Sequence, residues 1–172
     1  MNASHLERSR RSTFAPQLAS SERTHPMYRI REVDAQDDDI SEMLADLHRL
    51  TFFDSAPVPS FDWGHWWIVF HERLPVAFAG LVPSTHAQNA GYLCRVGVVD
   101  RHWGRSLQLR LMRAIEARAR RSGWSCVVSD TTDNVASANN FIKAGYRLYR
   151  PRHPWGWPHT LYWRKSIMEG SG

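Results

Sequence analysis

The hexapeptide Arg101-His102-Trp103-Gly104-Arg105-Ser106 lies between an apolar run at residues 93–99 and a stretch of helical periodicity that begins at Leu107. A strand that enters a glycine-containing turn and then a helix leaves backbone N–H groups unpaired, with the positive end of the helix dipole behind them. Gly104 allows close approach of a ligand, and the small Ser106 keeps the turn open. The pattern predicts a phosphate-binding turn, although an ordinary strand-to-helix turn has the same composition.

A second segment follows the apolar strand predicted at residues 126–129 and reads Asn134-Val-Ala-Ser137-Ala-Asn139-Asn140-Phe141-Ile-Lys143-Ala-Gly145-Tyr146. Together the two segments resemble the GNAT acetyltransferase superfamily, whose acyl-CoA loop reads Gln/Arg-x-x-Gly-x-Gly/Ala. The next helix of that family reads Asn-x-x-Ala/Ser, then an aromatic residue and Lys-x-Gly-Phe/Tyr. Ser106 departs from the loop pattern, and the matching residues are Arg101, Gly104, Asn134, Ser137, Phe141, Lys143, Gly145 and Tyr146.

The resemblance covers residues 27–167 and implies an α/β fold of the GNAT type. This fold has a mixed central sheet of about seven strands, helices on both faces, and a cleft between two splayed parallel strands. Hydrophobic periodicity gives the same order of elements. It predicts helices at residues 40–54, 107–122 and 134–144, and strands at residues 28–33, 66–70, 76–82, 91–99, 126–129, 146–149 and 160–167.

The length of 172 residues suits one domain, which we place at residues 27–168. Residues 1–26 are rich in Ser, Arg and Thr and are expected to form a flexible basic extension, with a short tail at residues 169–172. The chain contains neither an apolar run long enough to cross a bilayer nor an apolar stretch typical of a secretory signal. We therefore expect a cytoplasmic protein without membrane contact, either a monomer or a homodimer.

The formal net charge of +5 raises the alternative of a nucleic-acid partner, because clustered arginines bind phosphates. A basic helix face is also ordinary solvated surface, and CoA itself carries several phosphates. The nine histidines are scattered through the chain without the spacing of metal ligands, so no metal is expected.

The resemblance implies that acetyl-CoA lies between the strands that end near Val99 and Ser129. Backbone groups of Val98 and Val99 would pair with pantetheine, and amides between Arg101 and Ser106 would hold the pyrophosphate. The residues expected to bind the cofactor are Val98, Val99, Arg101, His102, Trp103, Gly104, Arg105, Ser106, Asn134, Ser137, Asn140, Phe141 and Lys143.

The reaction implied is direct attack by a primary amine of a small molecule or peptide on the thioester in a ternary complex. Alignment of two reactants can contribute roughly 7 to 11 kcal/mol. An amide N–H of Val98 or Val99 would stabilise the oxyanion. General acid and base groups would add about a hundredfold or more each.

The sequence lacks two groups that many relatives use, because Phe141 replaces a tyrosine acid and Cys94 stands where relatives carry a glutamate base. Asp130 is the candidate base, although an aspartate there also caps turns. Tyr92 and Tyr146 could replace the missing phenol or could pack in the core. The loop histidines His65, His86 and His159 could act near neutral pH or lie at the surface.

Two other classes of function stay open. A non-catalytic GNAT-like binding or assembly module would explain the missing acid and base. An RNA- or ribosome-associated acetyltransferase would explain the charge. The acceptor itself is not specified by the sequence, since the loop at residues 151–159 could form either a wall of the acceptor pocket or a rigid aromatic plug.

Overall fold

The computed structural model describes residues 27–168, so the predicted extension at 1–26 and the tail at 169–172 lie outside the described residues. The helices and strands in this part of the chain are β1 (Tyr28–Val33), α1 (Asp38–Phe52), β2 (His65–His71), β3 (Leu74–Pro83), β4 (Ala90–Val98), α2 (Leu107–Arg121), β5 (Cys126–Thr131), α3 (Val135–Lys143), β6 (Arg147–Leu148) and β7 (Leu161–Ser166). A short 3-10 turn at Asp100–His102 joins β4 to the loop before α2.

One sheet contains all of these strands in the order β1-β2-β3-β4-β5-β7-β6. Strands β1 to β4 pair with one another antiparallel, β1 and β2 being joined through α1 and the next two pairs by short loops. The crossover through α2 makes β4 and β5 parallel, because a parallel pair needs a long connection. The predicted mixed sheet of about seven strands is therefore confirmed.

Helices cover both faces of the sheet. Leu111 and Ile115 of α2 pack with Val127 in the larger core cluster, whereas Leu44 and Leu47 of α1 pack against Phe78 on the other face. Neighbouring residues of a strand point to opposite faces, so Ala77 and Ala79 join the first cluster while Phe78 joins the second. Among the described residues, no helix is both long and apolar enough to cross a membrane.

The sequence predicted the boundaries of these helices and strands to within two residues, and two of the differences lie on either side of the third helix. Strand β5 extends beyond the predicted end to Thr131, because Thr131 pairs with Leu161 of β7. The predicted strand at residues 146–149 is reduced to Arg147–Leu148, and the adjacent Tyr146 packs into the core instead.

Candidate active site

Strands β4 and β5 separate a few residues after they meet. They pair only from Ala90 opposite Cys126 to Tyr92 opposite Val128. At the fork, the Ser129 hydroxyl donates a hydrogen bond of 2.8 Å to the Leu93 carbonyl. Beyond this point β4 continues to Val98 with a strand partner on its β3 side only. The two parallel strands therefore enclose a wedge-shaped cleft.

A β-bulge lies in β4 directly after the fork. Leu93 pairs with Leu81 and Arg95 pairs with Gly80, so Cys94 is the extra residue. The Arg95 guanidinium donates to the Cys94 carbonyl at 2.7 Å and to Nε2 of the buried His48 at 3.3 Å. A bulge bends its strand, and this bend accompanies the separation of β4 from β5.

Val98, the last residue of β4, and Val99, which follows it, direct their amide N–H groups to opposite sides of the strand. The Val99 N–H donates to the Val76 carbonyl of β3 at 2.9 Å and is not available to a ligand. Successive residues of a strand direct their N–H groups to opposite sides, so the Val98 N–H is directed toward the cleft. The Val98 carbonyl accepts a 2.8 Å hydrogen bond from the Trp103 indole. Of the two predicted oxyanion donors, the geometry favours Val98.

The start of α2 provides a group of unpaired amides at the mouth of the cleft. The first bond within the helix runs from the Arg110 N–H to the Ser106 carbonyl at 3.1 Å, so the N–H groups of residues 107–109 precede the helical ladder. Ser106 has left-handed backbone (φ 57°) and gives no side-chain cap. A side chain built at Gly104 (φ +72°) would meet no atom within 4 Å. The turn is therefore open to a ligand.

The other residues of the predicted phosphate turn divide into exposed and anchored groups. Arg101 and Arg105 are exposed at the rim. His102 is directed back to the sheet, with its Nδ1 3.0 Å from the Tyr28 hydroxyl, and is not placed to contact a ligand through that atom. Trp103 is 69% exposed and is anchored through its indole.

Polar side chains join the N-terminal parts of α2 and α3. Asn134 caps α3 by accepting the Ser137 N–H at 2.9 Å. Gln108 of α2 donates to the Ser137 hydroxyl at 2.9 Å and accepts from the Asn140 amide at 2.8 Å. The sequence analysis missed Gln108, whose only signal is its position on the first turn after the phosphate loop. Lys143 is exposed at the far end of α3.

Phe141 and Tyr146 lie in the core rather than in the cleft. Phe141 is 1% exposed and stacks on Trp163, with ring centroids 5.5 Å apart. Tyr146 is 3% exposed, packs edge-to-face on Phe141, and burial raises its pKa. It belongs to the core cluster of Val127, on the opposite face of the sheet from Tyr92. We therefore do not retain Tyr146 among the proposed catalytic residues.

Asp130 lies two residues beyond Val128, the last residue of β5 that pairs with β4, and contacts a cluster of aromatic groups. Its Oδ1 atom accepts the Tyr92 hydroxyl at 2.6 Å and the Trp155 indole at 2.9 Å. His86 stacks on Trp155 with ring centroids 3.9 Å apart. Burial, and then the charge of Asp130, raises the pKa of Tyr92, so this phenol keeps its proton. Both hydrogen bonds use Oδ1, and Oδ2 has no partner among residues 27–168.

The sequence analysis named His86 as one of three loop histidines that could act near neutral pH, and it considered Trp155 only as part of the loop at residues 151–159. Trp155 comes from the loop between β6 and β7 and His86 from the loop before β4. The contact of Trp155 with Asp130 favours the wall interpretation of the loop at residues 151–159. Within residues 27–168, no group of three or more His, Cys, Asp or Glu side chains is arranged to hold a metal ion.

A seven-stranded mixed sheet whose parallel central strands separate beside a helix N-terminus is the architecture of a GNAT-type acyltransferase. The chain belongs to the acetyltransferase (GNAT) family, whose family model matches residues 25–146. The comparison with curated proteins gives no match.

Solved structures share this fold. An aminoglycoside 6'-acetyltransferase type Ii is similar at a TM-score of 0.68, with 19% identity over 82% of this chain and 98% of that chain. The ribosomal-protein-S18-alanine N-acetyltransferase from Escherichia coli gives 0.64, with 13% identity over 84% and 97%. A Bacillus subtilis acetyltransferase in complex with CoA gives 0.64, with 11% identity over 83% and 100%. These TM-scores show a shared fold, and sequence identities below 25% show no more than that.

Proposed function

We propose that this protein is an N-acetyltransferase that transfers the acetyl group of acetyl-CoA to a primary amine by direct attack in a ternary complex. One observation carries the proposal: the cleft between β4 and β5 has unpaired amides at its mouth and the Asp130 carboxylate near its fork. Acyl transfer needs both features, because the unpaired amides would hold the acyl donor and the carboxylate would accept a proton from the amine.

The residues of this chain fit a coenzyme with a diphosphate and an extended arm. The N–H groups of residues 107–109 suit the diphosphate, since a helix N-terminus favours anions. Arg101 and Arg105 add charge at the rim, and the exposed edge of β4 up to Val98 suits the amides of an extended arm. Acetyl-CoA supplies a thioester whose carbonyl carbon is open to attack by an amine.

Asp130 is proposed as the general base and Tyr92 as the residue that positions it. The two hydrogen bonds to Oδ1 fix the carboxylate and leave Oδ2 to accept the proton of an incoming amine. Tyr92 keeps its proton and donates it in a hydrogen bond to Asp130. It therefore orients the carboxylate rather than protonating a leaving group. The Val98 N–H is proposed to donate to the thioester oxygen as negative charge develops on it, and the CoA thiolate that leaves when the C–S bond breaks would take its proton from solvent.

The test uses labelled acetyl-CoA with a panel of primary amines, peptides and aminoacyl-tRNA. Asp130→Asn is expected to lower kcat by about a hundredfold without changing the Kd for CoA, because it removes only the proton acceptor. Asp133→Asn is the matched control, since Asp133 lies three residues away, is exposed, and within residues 27–168 its carboxylate has one polar partner, His159 at 3.0 Å.

One result would contradict the proposal, and a second would assign the acceptor to RNA-bound amines. Tight binding of acetyl-CoA with no transfer to any amine would favour the non-catalytic module. RNA binding that weakens steeply with salt, together with transfer only to RNA-bound acceptors, would favour the RNA-associated alternative.

A further inference from the structure

A basic pocket lies next to the Asp130 cluster and is not used by the proposed mechanism. It has a volume of about 560 Å³ and is lined by Arg150, Arg152 and Arg164, together with His86 and Tyr149. Tyr149 packs in the same cluster as Tyr92, so the pocket opens on the face of the sheet that carries the proposed base. We call these three arginines and their surroundings the arginine pocket.

The positive charge of the arginine pocket is not balanced by the protein. None of its lining residues is an aspartate or glutamate, and no ion pair within residues 27–168 involves its arginines. Arg164 also lies directly opposite Arg147 in the pairing of β6 with β7. Like charges at directly opposed positions destabilise a sheet, and a bound anion would relieve the repulsion.

A second observation points to a ligand. The Tyr149 side chain lines the pocket, and its buried hydroxyl has no hydrogen-bond partner among the described residues. Burial raises the pKa of Tyr149, so the hydroxyl stays protonated and is a donor. The three arginines that line the pocket carry guanidinium groups that suit carboxylate or phosphate oxygens, and the unpaired Tyr149 hydroxyl lies buried beside them.

The arginine pocket is connected to the proposed base through one pair of stacked rings. His86 lines the pocket and stacks on Trp155 at 3.9 Å, and the Trp155 indole donates to Asp130 at 2.9 Å. An acceptor that lies across this ring pair would reach both the pocket and the carboxylate.

We propose that the arginine pocket is an anion-binding subsite for the acetyl acceptor, which is a small primary amine that also carries a carboxylate or phosphate. This inference rests on the proposed N-acetyltransferase function. It separates this chain from the aminoglycoside acetyltransferase with which it shares a fold, because a polycationic acceptor would be repelled by these arginines.

The test compares matched amines with and without an anionic group. The ω-amino carboxylates and aminoalkyl phosphates of graded length are compared with n-alkylamines of equal length, and the better of the two anionic series identifies the anion. We expect kcat/KM to be about tenfold or more higher for the best anionic acceptor. Arg164→Gln should raise KM for that acceptor about tenfold, leaving kcat and the KM for alkylamines unchanged.

Arg29→Gln is the matched control, since Arg29 is an exposed arginine on β1, at the opposite edge of the sheet. A separate measurement does not need turnover: inorganic phosphate is titrated in the presence of excess CoA and followed by NMR. We expect Arg164→Gln to weaken phosphate binding about tenfold relative to Arg29→Gln.

The outcomes separate the two proposals. Acetylation of amines with no preference for an anionic group overturns the subsite and leaves the acetyltransferase proposal intact. Acetylation of no amine overturns the acetyltransferase, and the acceptor subsite fails with it even where phosphate binding depends on Arg164. A single-stranded RNA oligomer that displaces phosphate and binds far more tightly, with a steep salt dependence, overturns the small-molecule acceptor.

Discussion

Replacing Gly104 with glutamate places a carboxylate beside the unpaired amides at the start of α2. The backbone at this position has φ +72° and the added Cβ meets no atom within 4 Å, so the new side chain fits without a clash. The left-handed conformation costs a non-glycine residue roughly 1 to 2 kcal/mol. The carboxylate also competes for the positive end of the helix dipole, where phosphate is proposed to bind.

The size of the effect follows from Coulomb's law. Two unit negative charges about 5 Å apart at an effective dielectric constant of about 20 repel each other by about 3 kcal/mol, which is more than a hundredfold in Kd. We therefore expect Gly104→Glu to weaken CoA binding about a hundredfold or more at moderate salt, measured by isothermal titration calorimetry.

The chain offers a matched control in Gly123→Glu. Gly123 has φ +74° and likewise nothing within 4 Å of an added Cβ, but it lies after the other end of α2. Both variants carry the same conformational strain and the same added charge, so the difference between their Kd values for CoA reports the effect of position alone. Equal Kd values for CoA in both variants would refute the assignment of the phosphate turn.

Three further predictions concern stability and rate. Lys165→Met should lower the free energy of unfolding by about 3 kcal/mol in urea denaturation, because it strands the buried Glu116 carboxylate that Lys165 contacts at 2.7 Å; a loss below about 1 kcal/mol would contradict this. Burial, and then nearby arginine charge, lowers the pKa of His48 to about 4 from 6.5. The unfolded chain therefore binds more protons between these values, and stability rises with pH across that window. His48 contributes up to about 1.4 kcal/mol per pH unit to the pH dependence of the free energy of unfolding. His48→Gln should remove this contribution, as measured by thermal unfolding at graded pH. Tyr92→Phe should lower kcat about tenfold with an unchanged Kd for CoA, because Asp130 loses one of its two donors; an unchanged kcat in steady-state assays would exclude the positioning role.

The sequence predicted the helix start at Leu107 correctly, because the apolar stripe of α2 and the glycine turn before it are local signals. The extent of the cleft could not be predicted from such local signals. It depends on where β4 leaves β5, and the bulge at Cys94 that accompanies this separation lies between the pairs Leu93–Leu81 and Arg95–Gly80. Such pairings join residues far apart in the chain, so no local pattern specifies them.

The candidate site shows the same division between local and long-range information. Asp130 was named because it follows the predicted strand at residues 126–129, and Tyr92 because its phenol could replace the missing acid. Their direct contact became visible only with the register of β4 and β5. Tyr146 follows the end of α3, where neither helical nor strand periodicity fixes the direction of a side chain. Trp155 reaches Asp130 from an irregular loop, for which sequence offers no periodic signal at all.

The most direct test of the central claim is an amide NMR titration of the ¹⁵N-labelled protein with CoA. The claim is that unpaired backbone N–H groups of residues 104–109 and of Val98 hold the coenzyme. We predict that the largest shifts fall on these amides, while the Val99 amide, which is bonded to Val76, changes less. Saturable CoA binding that leaves the amides of residues 104–109 unshifted would contradict the account.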